Sequence, residues 1–390
     1  MKKLLFVVPS LNVGGTLSSL KCIIEYLDSE YEINVLALSH DGSPSGIRDN
    51  ILLRKSILLH GYYCNYNESI GFDKYIIALI KIIKRFFYIL KIDLEKIISR
   101  AFASNYQSYD IIVAFQEGCV TKFVSHIQHQ RKIAWIHCDY KNYCSTPKEL
   151  HIYEKFSTIV CVSKYTANTF STIYPSLQDR VQSVNNLLNL NAIESLAKSS
   201  VYDNLFVKDY FTIISVGRID PVKRFEYIPS IAYDIKSRGC KFRWYIIGPE
   251  LGNECFNKLC AEIKYYNVER EVVYLGSKSN PYPYFSNADL LVSLSYTEAC
   301  PMIFNEAKIL DLPVLTTDFG SSYEFIQNGD SGIIVPFQDI ADTLYSILSN
   351  PQCYNSLKQN VTQQEYSNEN ILLQLRSIFS DNNTVNHNTL

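Results

Sequence analysis

The stretch ADLLVSLSYTEACPMIFNEA, Ala288 to Ala307, decides the fold. Its first half is a continuous apolar run with no alternation, which is the pattern of a strand buried on both faces of a parallel sheet. A short turn follows, then Pro301, whose fixed φ suits the first turn of a helix. The reading is a strand feeding a helix, with Glu298 in the turn and Glu306 inside the helix.

The same alternation recurs along most of the chain. LLFVV, INVLALS, IIVAF, KIAWIH and TIVCVS occupy the first half, and FTIISVG, RWYIIG, VVYLG, LLVSLS, PVLTT and GIIVP the second. Two such series, each interleaved with helix-period segments, predict an α/β protein of two Rossmann-like, doubly wound parallel-sheet domains facing across a cleft. Residues 1–195 are expected to form the first domain and 196–370 the second, joined through the polar stretch 189–206. Residues 371–390 are expected to be a helix end and a polar tail. NENILLQLRSIF has helical spacing and could pack on either domain, and the closing SDNNTVNHNTL reads as frayed.

Bulk composition supports this organisation. A chain of 390 residues exceeds what one core usually serves, and 47% hydrophobic against 19% charged residues leaves material for two. A net charge of −2 provides no global basic field for a nucleic-acid partner. The 11 cysteines are odd in number and form no Cys-x-x-Cys pair, so they read as small buried hydrophobes of a reducing compartment. The opening MKKLLFVVPSLNVGG has an apolar run too short for a signal peptide and reads as a first strand. No uninterrupted apolar run is long enough to span a membrane.

Lys74 to Arg100 stands apart, with seven basic and two acidic residues among Ile, Leu, Phe and Tyr at helical spacing. It fits either an amphipathic core helix pair or a helix lying on an anionic membrane surface, with Lys81, Lys84 and Arg85 as its cationic cluster.

Open α/β sheets bind ligands beyond the carboxyl ends of their strands, so the strand-to-helix turns hold the candidate chemistry. Gly14 and Gly15 follow the first strand and allow close backbone approach, although no Gly-x-Gly-x-x-Gly fingerprint follows any strand, which weighs against a nicotinamide or flavin site. Gly217, Arg218 and Lys223 follow the strand FTIISV; a guanidinium fork with a mobile ammonium suits a diphosphate. Behind Pro301 the amides of Met302 and Ile303 form a helix N-terminal anion site. Glu306 is placed to reach a polyol such as ribose, and Glu298 to stabilise an oxocarbenium-like centre. His137 and Asp139 close the strand KIAWI, where both are expected to face the crevice between the domains. The run LGSKSNPYPYFSNADLL brings rings that could wall a base pocket.

Together, Gly217-Arg218 with Lys223, the Glu-x7-Glu of Glu298 and Glu306, the NPYPY run and the WIH strand end resemble the retaining glycosyltransferases of GT-B fold, family 4, of the surface-polysaccharide type. The likeness is strong over 215–336 and confined in the first domain to the glycine pair and WIH. It implies a sugar-nucleotide donor, UDP-linked by family frequency, and transfer with retention that requires neither a metal nor a cofactor. Arg218 and Lys223 would hold the phosphates with Gly15 and the amides of Met302 and Ile303, Glu306 the ribose, and Glu298 and His137 the donor sugar. It further implies a lipid-linked saccharide acceptor in O-antigen or capsule synthesis, and peripheral attachment to the inner face of the cytoplasmic membrane. Ala299 stands where the family often has Gly, which bears on the shape of the sugar pocket. A sugar-nucleotide 2-epimerase of the same fold and a non-catalytic nucleotide-sugar-binding subunit are the competing readings.

Overall fold

The computed structural model describes residues 1–11, 14–39, 46–48, 50–53, 57–63, 73–103, 106–143, 148–201, 205–206, 209–250 and 254–380. The chain divides into two compact units, one made of 1–187 with 369–390 and the other of 188–368.

The first unit is built on a six-stranded, all-parallel sheet of β1 (Lys2–Val8), β2 (Tyr31–Ala37), β3 (Ile111–Ala114), β4 (Lys132–Ile136), β5 (Thr158–Cys161) and β6 (Val181–Ser183). Its order is β2-β1-β3-β4-β5-β6. The second unit carries β7 (Phe211–Val216), β8 (Phe242–Ile247), β9 (Val272–Tyr274), β10 (Leu290–Ser293), β11 (Val314–Thr317) and β12 (Gly332–Val335) in the order β12-β11-β10-β7-β8-β9, again all parallel. Counted from its own first strand this is 6-5-4-1-2-3, the doubly wound order whose direction reverses between β7 and β10.

Burial explains the unbroken apolar runs. Interior strands β3, β4, β5, β10 and β11 are buried at every residue, while edge strands β2, β6 and β12 each carry partly exposed residues. Successive strand residues point to opposite faces, so Ile213, Trp244, Leu290 and Leu315 pack under helices Ile228–Ser237 and Ile340–Ser349. Their neighbours Ile214, Tyr245, Leu291 and Val314 pack against Phe285, Phe304 and Phe319 on the other face. Each such side chain contributes roughly 1.5–3 kcal/mol. One polar chain crosses this core: Trp244 Nε1 donates to Ser215 Oγ at 2.9 Å, which donates to the Val292 carbonyl at 2.6 Å.

The crossing between units falls at Leu187–Leu188, earlier than the expected boundary, and returns at Asn368–Glu369. The expected linker contains a helix, Leu190–Ala197, that packs within the second unit, where Asn280 Nδ2 donates to the Leu196 carbonyl at 2.9 Å. Asn368 holds the two crossings together, donating to the Leu188 carbonyl at 2.6 Å and accepting from its amide at 3.3 Å. The last helix, Glu369–Phe379, joins the first unit. Arg376 forks onto Glu30, Phe379 packs edge-on against Phe6 and Tyr31, and Arg131 caps the helix end at the carbonyls of Ile378 and Ser380. The tail expected to fray lies, from residue 381 on, outside the described residues. The cysteines depart from the expectation of uniform burial: of the described ones Cys22 and Cys161 are buried, while Cys119 is exposed.

Candidate active site

In the second unit the strand ends that flank the reversal of order carry the predicted residues. β7 runs into Gly217 and β8 into Gly248, both at φ 155°, a conformation that favours glycine. The two backbones touch. Gly217 N–H donates to the Ile247 carbonyl at 2.9 Å, and a Cβ on Gly248 would lie 1.8 Å from the Gly217 carbonyl oxygen. The chain then folds back so that Lys223 lies over Gly217, whose own Cβ would meet Lys223 Cε at 3.3 Å.

Asp220 makes that turn. Its Oδ1 accepts from the amides of Val222 at 3.1 Å and Lys223 at 3.2 Å, and its other oxygen lies 3.5 Å from the Arg218 guanidinium. Arg218 itself reaches outward, with its side chain 64% exposed. Arg224 adopts a left-handed φ of 55° and lays its guanidinium on the rings of Tyr296 (4.8 Å) and Phe337 (4.9 Å). With the Tyr296 amide donating to the Val222 carbonyl at 2.8 Å, this couples the turn after β7 to the turn after β10.

The second turn holds Glu298. Its Oε1 is paired with Lys223 Nζ and accepts from Ser295 Oγ at 2.8 Å, while its backbone carbonyl accepts from Ser321 Oγ at 2.7 Å. Both charged side chains are largely enclosed, each 16% exposed. Pro301 is the N-cap of helix Met302–Ile309 and stands just before its first turn. The helix leaves the amides of Met302 and Ile303 without intrahelical acceptors. Glu306 accepts a hydrogen bond from Tyr282 Oη at 3.3 Å, a residue of the NPYPY run. Burial pushes its carboxyl up to about 7 against the lowering effect of that bond. Two cations, two helix-end amides and two carboxylates therefore share the carboxyl edge of β7 and β10, an arrangement suited to a phosphorylated polyol.

The first unit repeats the pattern around its own reversal, between β1 and β3. Gly14 caps helix Gly15–Leu27, and a Cβ there would have nothing within 4 Å, so the backbone edge is open to close approach. His137 follows β4. Its ring stacks parallel to Trp135 and edge-on to Phe115, and its Nε2 is buried with no hydrogen-bond partner among the described residues. Burial holds the imidazole down to about 3, so it is neutral at physiological pH. Asp139 has a local part: its carboxylate accepts from the Lys141 amide at 3.2 Å and Asn142 Nδ2 at 2.9 Å, capping the short helix Tyr140–Tyr143. Lys84 lies 4.1 Å over the Tyr62 ring, while Lys81 and Arg85 border an exposed face of helix Asp73–Ile89.

Four residues escaped the sequence reading. Ser295 and Ser321 position Glu298 and carry no signal in isolation. Asp220 was legible, because Asp-Pro-x-Lys has the Asx-turn chemistry that presents the residues after it. Glu117, after β3, accepts from the His137 amide at 2.8 Å, and burial raises its pKa.

Against known proteins, the region of the second-unit site carries a recognised signature. Residues 200–364 match the family model Glycosyl transferases group 1. That region contains Gly217, Arg218, Lys223, Glu298 and Glu306. An uncharacterized glycosyltransferase of Methanocaldococcus jannaschii is 23% identical over 57% of this chain and 55% of its own length. The Campylobacter jejuni N-acetylgalactosamine-N,N'-diacetylbacillosaminyl-diphospho-undecaprenol 4-alpha-N-acetylgalactosaminyltransferase is 25% identical over 50% of this chain and 55% of its own. The chain thus spans about half the length of these curated relatives. Anabaena HepE, solved with UDP and glucose, superimposes with a TM-score of 0.72 at 16% identity, covering 97% of this chain and 99% of its own. The fold is GT-B, two parallel-sheet α/β units, as the sequence pattern led one to expect.

Proposed function

We propose that the protein is a retaining glycosyltransferase that moves a sugar from a nucleotide donor, a UDP-sugar, to a lipid-linked oligosaccharide in surface-polysaccharide synthesis, without a metal or other cofactor. The observation that carries this reading is the Lys223–Glu298 pair at the carboxyl edge of β7 and β10, inside the region matched to group 1 glycosyl transferases. The fold shared with a UDP-binding neighbour supports the donor class, and the undecaprenol-linked substrate in the name of the Campylobacter relative supports the acceptor class.

In this reading the donor diphosphate competes with Glu298 for Lys223. Arg218 and the amides of Met302 and Ile303 supply the remaining countercharge. Drawing the ammonium toward phosphate leaves the Glu298 carboxylate, still held by Ser295, to accept hydrogen bonds from the transferred sugar and to stabilise the charge that develops there. Glu306 takes the ribose hydroxyls. His137, neutral and with a free Nε2, binds a sugar hydroxyl rather than carrying a proton, and the leaving phosphate accepts the acceptor's proton. Asp139 reaches the acceptor only by giving up its helix cap. The enzyme would work at the inner face of the cytoplasmic membrane.

A thermal-shift screen with UDP-, GDP- and CMP-sugars tests the reading. Stabilisation by a UDP-sugar that Arg218→Ala and Glu306→Ala both lose is the expected result, and the anomeric configuration of the product reports retention. Stabilisation by none of the nucleotides would refute the donor site, and donor turnover in the absence of acceptor would point to an epimerase.

A further inference from the structure

Helix Asp73–Ile89 presents two apolar faces, and the fold covers one of them. Ile77 and Ile80 are buried, and Lys84 is folded over Tyr62. Leu79, Ile82, Phe86 and Ile89 lie on the opposite side and are each 58–69% exposed. Their spacing of three and four residues makes one continuous stripe, extended by exposed Tyr75 and by Leu90 just past the helix end. From Tyr75 to Leu90 it runs for roughly 22 Å. A stripe of this many large exposed apolar side chains needs a partner.

Charge says which partner. Lys81 and Arg85 stand one residue before Ile82 and Phe86, along one edge of the stripe. The segment 74–100 carries seven basic and two acidic residues, a net of +5, in a chain whose net charge is −2, so the remainder carries −7. Such polarity turns this face toward a negatively charged surface. It also disfavours a second copy of the chain, because a two-fold contact would bring the two cationic patches together. Apolar residues along the crest, cations at the rim and a tyrosine at one end suit the interface of a bilayer, where side chains enter the acyl boundary while charges stay at headgroup level. None of the described helices is long and apolar enough to cross a membrane.

We propose that the stripe Leu79–Ile82–Phe86–Ile89, rimmed by Lys81 and Arg85, is a docking face for an anionic phospholipid bilayer, and that Lys84 is not part of it. This sharpens the membrane part of the proposed function, and corrects the residues expected to touch lipid, since the Lys84 ammonium is turned toward the protein's own Tyr62.

The test is flotation of the full-length protein with phosphatidylcholine vesicles, with and without phosphatidylglycerol. Wild type is expected to float only with the anionic vesicles. Ile82→Gln/Phe86→Gln should reduce binding by about tenfold or more through lost insertion. Lys81→Glu/Arg85→Glu should do the same through charge, whereas Lys84→Gln should leave binding within about twofold. Circular dichroism melts of each variant separate lost docking from lost fold, and the glutamine variants should melt no lower than wild type because the residues changed are exposed. Failure of wild type to float, or binding unaffected by Ile82→Gln/Phe86→Gln, overturns the proposal. So does concentration-dependent dimerisation in sedimentation without flotation, which would assign the stripe to a second copy. Nucleotide-sugar thermal shifts on the same preparations keep the two readings apart: flotation without nucleotide binding supports the docking face while refuting the transferase.

Discussion

Replacing Glu306 with Gln should stabilise the second unit, by an amount that grows as pH rises from about 5 and is nearly complete above 7. The carboxyl is pushed up to about 7 from an ordinary 4.5 by burial. Since the folded-state value is the higher one, the stability associated with the protonated carboxyl is fully present below pH 4.5 and is lost as pH rises toward 7. Above that range the folded unit holds a desolvated carboxylate, a cost of about 3 kcal/mol at pH 8 and under about 1 kcal/mol at pH 5. Glutamine is neutral at both, has nearly the same shape, and still offers an oxygen to Tyr282 Oη. Glu306→Gln should therefore raise the unfolding free energy by about 3 kcal/mol at pH 8 and change it little at pH 5. Urea unfolding followed by fluorescence would measure this. The chain has two tryptophans, one fully buried in each unit, so a Trp135→Phe background leaves Trp244 to report on the second unit alone. The same substitution removes the charged acceptor proposed for ribose, so donor-induced stabilisation should fall as intrinsic stability rises. Equal effects at the two pH values, or destabilisation at pH 8, would show that Glu306 is not strained by burial and would remove the physical basis for its role.

Gly248→Ala should be severe, costing on the order of 3 kcal/mol or more, because its Cβ would lie 1.8 Å from a backbone oxygen that cannot swing aside; a chemical melt close to wild type would mean the β7 and β8 turns are looser than described. Lys223→Ala and Glu298→Gln should each weaken nucleotide-sugar binding, and the double variant should lose less than the sum of the two; additive losses in a calorimetric double-mutant cycle would deny the coupling. His137→Phe should keep the packing against Trp135 and Phe115, with stability within about 1 kcal/mol, because the lost Nε2 has no hydrogen-bond partner among the described residues. If transfer kcat/KM also survives that change, the ring is structural and the sugar contact is wrong.

Most of the fold was readable without coordinates because interior parallel strands, covered on both faces, appear as unbroken apolar runs. Every strand but β6 stood out that way. β6 is three partly exposed residues at a sheet edge, Val-Gln-Ser, with no hydrophobic pattern to betray it. The boundary between the units was harder to place, since the polar stretch taken as a linker contains an amphipathic helix whose partners are distant in sequence. The final helix was equally ambiguous, and its place on the first unit depends on Glu30, Phe6 and Arg131, none of which its own sequence reveals.

Residue type and strand-end position single out Gly217, Arg218, Lys223, Glu298, Glu306 and His137 as candidates, because a phosphorylated sugar would need cations, carboxylates and exposed backbone at strand mouths. What those residues do to one another belongs to tertiary structure alone. Lys223 and Glu298 are 75 positions apart, and only the adjacency of β7 and β10 makes them a pair. The same sequence periodicity that predicted a helix at Asp73–Ile89 could not say which of its apolar faces the fold would cover. Hydrophobic pattern is a local property of the chain, whereas charge pairing, a displaced pKa and an uncovered face depend on which neighbours folding brings near and how much water it leaves between them.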